Sequence, residues 1–147
     1  MCLKLFETVY SVWDYYDGPR SGIADVRGEP CYFSCEWDEG ADDWAEYFTL
    51  KRLATEALNL ALEGETIWRN WEGAFHRGEV PSSTHPALPE QNARYVELTA
   101  ALDSVIDSLT IYGGARAAFR VRPNQPPKAR GILAEFEVEW LDLTATH

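Results

Sequence analysis

Basic residues are scarce in this chain. Lys and Arg number 13 against 24 Asp and Glu, for a formal net charge of −11. Phosphate backbones are bound by clustered Lys and Arg, so direct nucleic-acid binding is not expected. Attraction to an anionic membrane surface is excluded on the same ground. A negative excess of this size favours solubility and permits a basic protein partner. Long apolar runs are also missing. No stretch approaches the ~18 uncharged apolar residues that read as a membrane span. Leu3, Leu5 and Phe6 are interrupted by Lys4 and followed by Glu7, so no secretory leader is expected.

Cysteine is sparse and odd in number: Cys2, Cys31 and Cys35. No framework of paired bridges follows. Cys31 and Cys35 fall in one expected strand, about 13 Å apart at ~3.3 Å per residue. A disulfide needs α-carbons within about 7 Å. Both are expected as buried apolar thiols in a cytosolic protein. The three histidines, His76, His85 and His147, are scattered, and with these thiols they make no metal-ligand spacing. A phosphate-cradling glycine loop, a nucleophile elbow, zinc spacing and an EF-hand loop are all absent. No cofactor is implied.

What is present is a chain of 147 residues with six tryptophans. That length fits one domain, residues 1–147, able to bury roughly 68–70% of its unfolded surface. Residues 3–13 are rich in β-branched and aromatic side chains and read as a strand. Residues 14–22 carry turn chemistry. A second strand over 22–26 leads into a third over 30–37. The connection is either a type I turn from Asp25 to Gly28 or a two-residue turn at Arg27-Gly28. In the third strand Cys31, Phe33, Cys35 and Trp37 share one face. After the acidic turn 38–43, residues 44–52 return as a strand or begin a helix.

A first helix follows. Thr55 is its expected N-cap, and its end is expected near Arg77-Gly78. Leu53, Ala57, Leu60, Ala61, Ile67, Trp68, Trp71 and Phe75 recur at helical spacing. Gly64 on that stripe marks a kink or a close approach. Pro89 suits the first position of a second helix, whose expected stripe is Val96, Thr99, Leu102, Val105, Ile106 and Leu109. Two alternating strands, 115–122 and 132–140, set Arg116, Arg120 and Arg122 against Glu135, Glu137 and Glu139. Opposite charges across an antiparallel pair are favourable, and this match predicts a C-terminal β-hairpin. The predicted fold is α+β, an antiparallel sheet of about five or six strands with two helices inserted before that hairpin and packed on one sheet face.

Three groups could carry chemistry. The loop from Asp14 to Arg20 offers Tyr16 for stacking, and Asp17 and Arg20 for polar contacts; turn chemistry alone explains most of it. The run Glu36, Trp37, Asp38, Glu39, Asp42, Asp43, Trp44, Glu46 and Tyr47 mixes carboxylates with aromatics. It suits a basic partner, a hard divalent cation, or a solvated loop. Glu72 and His76 are four apart on the first helix, half of a general-base device or an ordinary helical pair. The arginine–glutamate ladder cancels its own field and reads as a solvated face.

The expected function is a non-enzymatic protein-binding or regulatory module, like a small inhibitor or immunity protein. An alternative is a small-molecule-binding protein or enzyme with a cleft between sheet and helices. A third is an acidic nucleic-acid mimic. Exposed aromatics around Trp44 or Trp71 would also suit a homodimer.

Overall fold

The computed structural model describes residues 6–123 and 135–145. Cys2, His147 and the expected strand positions 3–5 and 132–134 lie outside them. The chain forms two compact units, one of residues 1–53 with 109–147, the other of residues 54–108.

The first unit is built of β1 (Glu7–Tyr15), β2 (Pro19–Val26), β3 (Glu29–Ser34), β4 (Trp37–Asp38), β5 (Asp43–Trp44), β6 (Phe48–Arg52), β7 (Gly113–Val121) and β8 (Phe136–Ala145). Six strands close in the order β1-β2-β3-β6-β7-β8, with neighbours antiparallel. Glu7 pairs with Val138 and Thr8 with Glu137, which joins the two ends of the sheet. The sheet is therefore a barrel and not an open layer, and closure removes its edges. Its inner face needs no helix to cover it. Phe33, Phe48, Phe119 and Trp140 fill it, every pair among the four lying 5.6–6.1 Å apart between ring centroids. Ala24, Val26, Cys31, Leu50, Ala115 and Val138 complete the core. The indole N–H of Trp140 donates to the Asp25 carbonyl at 2.8 Å, so this buried polar group is satisfied.

The backbones of β1 and β2 approach closely at Gly22. A Cβ there would meet the Ser11 carbonyl oxygen at 2.1 Å. The β1–β2 register is also irregular at three places, and such irregularities bend strands toward closure. The expected loop 14–22 is shorter than its composition suggests. Asp14 and Tyr15 continue β1, and the turn is Tyr16-Asp17-Gly18, with positive φ at Asp17 and Gly18. At the next turn Val26 pairs with Glu29, which selects the two-residue Arg27-Gly28 alternative. Both residues have positive φ, as a type I′ turn requires. The Glu7 carboxylate accepts hydrogen bonds from both of their amides.

The third strand stops at Ser34, three residues short of the expected end. Cys31, Phe33 and Cys35 are buried, but Trp37 is 47% exposed and starts a separate two-stranded hairpin, β4–β5. The returning strand accordingly begins at Phe48. In β7–β8, Arg120 faces Glu137 in register and pairs with it, and Arg122 pairs with Glu135 at 3.3 Å. Arg116 pairs with Asp142 at 2.7 Å and not with Glu139. The register slips between Gly114 and Arg116, and Glu139 faces Ala118.

The second unit holds α1 (Thr55–His76) and α2 (Asn92–Ser108). The α1 N-cap is Ala54, with no side-chain cap, so Thr55 lies inside the helix. Its C-terminus ends as expected. Gly78 takes φ +75°, its N–H donates to the Phe75 carbonyl, and the Glu79 N–H donates to the Ala74 carbonyl. That bond pair is a Schellman motif. A Cβ at Gly64 would meet nothing within 4 Å, which excludes the close approach. Pro89–Gln91 form a 3₁₀ turn ahead of α2. Leu98, Leu102 and Ile106 are the buried residues of α2, whereas Val96 is 57% exposed. Leu98 packs with Ile67 and Ala87, and Arg94 bridges to Glu63 at 2.7 Å.

Candidate functional site

In the barrel unit, the β1–β2 turn and the β4–β5 hairpin meet. Trp37 and Trp44 face each other in register, their rings 5.5 Å apart and nearly perpendicular. Tyr16 packs on Trp44 from the turn at 5.9 Å. Arg20, at the start of β2, places its guanidinium carbon 4.7 Å from the Trp44 ring centroid. Its Nε donates to the Tyr16 carbonyl at 2.9 Å and its Nη2 to the Asp17 carbonyl at 3.4 Å. Arg20 thus ties the turn to the hairpin. It forms no ion pair among the described residues. Tyr16 is 68% exposed, while Trp44 is half-buried. The Trp44 indole N–H is buried with no acceptor among the described residues, a situation that costs about 1–3 kcal/mol.

The hairpin that carries Trp37 and Trp44 is rich in carboxylates. Glu36, Asp38, Glu39, Asp42 and Asp43 are all exposed, and none forms an ion pair among the described residues. Asp38 Oδ1 accepts from the Gly40 and Ala41 amides at 3.0 and 3.3 Å. Asp43 Oδ1 accepts from the Trp44 amide at 2.7 Å. Asp42 takes φ +52° at the hairpin tip. Asp38 and Asp43 stand directly opposite each other across the strand pair. Glu46 lies 3.8 Å from Arg116. No group of three or more His, Cys, Asp or Glu among the described residues is placed to hold a metal ion.

Below the hairpin, Cys35 is buried and its thiol donates to the Ala45 carbonyl at 3.0 Å. Burial raises its pKa, opposed by the charge and hydrogen bond of Arg20. Cys31 is raised to about 12 by burial, with Arg52 opposing. In both, burial favours the protonated thiol over the thiolate.

Glu72 and His76 belong to the helical unit, residues 54–108. They form no hydrogen bond or ion pair with each other among the described residues. Glu72 is half-buried and burial raises its pKa, with Arg69 and His76 opposing. The same unit holds the aromatic helix end expected around Trp71, with His85 added to it from the following connection. Trp71 stacks on Phe75 at 5.1 Å, and His85 meets Trp71 edge-on at 4.7 Å. The Trp71 indole N–H donates to Thr84 Oγ1 at 2.8 Å.

Comparison with protein-family models, with curated proteins and with solved structures found no match to this chain. No helix among the described residues is long and apolar enough to cross a membrane.

Proposed function

We propose that this protein is a non-enzymatic binding module of the cytosol that docks on a basic protein, in the manner of an inhibitor or immunity protein. One observation carries the reading. Two segments distant in sequence place Tyr16 and Trp37 on Trp44, with both outer rings exposed and with carboxylates on the same hairpin that form no ion pair among the described residues. Aromatic side chains are the commonest anchors of interfaces, and unpaired charge around them speeds encounter with an oppositely charged surface. The barrel interior is packed by its own aromatic rings, which supports surface recognition over a ligand held inside the barrel. The enzyme reading has less support, since Glu72 and His76 do not form a hydrogen-bonded pair. Nucleic-acid mimicry needs an unbroken carboxylate array, and the β7–β8 carboxylates Glu135, Glu137 and Asp142 are paired with arginines.

The test is capture from lysate of the host by the immobilised protein, followed by a salt step. A stoichiometric basic protein, released by moderate salt and held more weakly by Trp37→Ala, is expected. Binding that ignores salt, or that survives both Trp37→Ala and the triple change of Asp38, Asp42 and Asp43 to Asn, would overturn the reading. Recovery of the chain itself alone would assign the surface to a homodimer.

A further inference from the structure

Resting on that reading, we propose that the exposed ring of Trp37 is a seat for an arginine side chain of the partner, selected over lysine. The same cluster already holds one guanidinium on an indole: Arg20 lies 4.7 Å from the Trp44 centroid. Arg20 therefore occupies Trp44 and leaves Trp37, 47% exposed, as the open indole of the hairpin. Trp37 meets Trp44 at 86°, so its contact with Trp44 does not stack the two rings.

Asp38 and Asp43 follow Trp37 and precede Trp44 on the two strands and face each other in register. Like charges directly opposite in an antiparallel pair are destabilising. Neither forms an ion pair among the described residues. Each uses Oδ1 on a backbone amide, and each Oδ2 is left with no partner among the described residues. A guanidinium is planar and weakly hydrated, so one group can stack on an indole and donate in its own plane to a carboxylate. An ammonium is a compact, strongly hydrated charge and gains mainly from the carboxylates. Trp37 therefore supplies the discrimination, and Asp38 and Asp43 supply charge that both cations share.

The experiment uses the full chain and two fluorescein-labelled peptides of equal length and charge, one alternating glycine with arginine, the other glycine with lysine. Affinities are read by anisotropy at about 50 mM salt. The arginine peptide is expected to bind about two- to fivefold tighter, the size of an exposed cation–π contact. Trp37→Ala should bring the two peptides to one affinity while leaving the lysine peptide unchanged, and Trp37→Phe should keep part of the preference. Equal binding by the wild-type chain, or a preference that survives in Trp37→Ala, overturns the seat and leaves charge-driven docking standing. Binding of neither peptide overturns the seat and the basic-partner reading together. A circular dichroism spectrum of each variant separates these outcomes from loss of fold.

Discussion

Single residues set the limits of this fold where backbone meets backbone. Gly22 is the tightest case, because a Cβ would sit 2.1 Å from the Ser11 carbonyl oxygen and 3.0 Å from Phe33 Cζ. The carbonyl belongs to a paired strand and cannot swing away, so Gly22→Ala should destabilise by about 1–3 kcal/mol or more, read from urea unfolding. A cost below a few tenths would mean that β1 and β2 part easily. Cys31 gives a second prediction. Its thiol titrates near 12 in the folded chain, above its ordinary value of 9.0. A raised pKa keeps the proton on the folded form, so its contribution to stability is complete below about 9 and is lost as pH rises toward about 12. In native protein at pH 8, iodoacetamide followed by peptide mapping should leave Cys31 unmodified, and unfolding should expose it. Neither effect needs a partner, and only one is legible in the sequence: the strand alternation puts Cys31 inside, but nothing local marks Gly22 as a contact point.

At the scale of elements, legibility followed how local the determinants are. The α1 C-terminus was readable because a Schellman motif needs only Arg77-Gly78 and their neighbours. The β7–β8 charge ladder was readable because its period is two. Its register at Arg116 was not, since the slip beside Gly114 is a property of the pairing. The end of β3 departs from the sequence pattern for a related reason. Alternation runs unbroken through Cys35 and Trp37, yet the chain leaves the barrel after Ser34 and reuses Trp37 in a hairpin. That hairpin sets aspartate against aspartate, so Asp43→Lys should replace a repulsive pair by an attractive one and gain about 0.2–1 kcal/mol in thermal or urea unfolding. The same variant should bind the arginine peptide at least about tenfold more weakly, because it reverses a charge at the seat. A variant that is more stable and still binds would place the docking surface elsewhere. On the ladder, Arg120→Glu should destabilise by a similar amount, and adding Glu137→Arg should recover most of the loss.

At the scale of the whole molecule, closure was beyond the sequence. It depends on β1 meeting β8 from opposite ends of the chain, and neither strand's alternation names its partner. The candidate surface shows the same division. Tyr16, Arg20, Trp37 and Trp44 were each picked out by residue type, but their convergence follows from barrel topology. The buried, unpaired Trp44 indole N–H and the Asp38–Asp43 pair break local rules at one place, which is where functional surfaces tend to break them. Net charge then gives a global prediction. With −11 distributed over the chain, self-repulsion opposes the compact state, and screening relieves it. Raising salt from about 20 mM to about 500 mM should therefore increase the melting temperature. The ion pairs that salt also weakens are exposed, such as Arg52 with Glu29 and Arg122 with Glu135, and exposed pairs contribute little. Salt should weaken partner binding over the same range. Opposite signs for stability and binding mean that lost binding at high salt cannot be lost fold. A melting temperature that falls with salt would show instead that the exposed ion pairs outweigh the charge excess, and the acidic surface would then lose its standing as an unspent source of attraction.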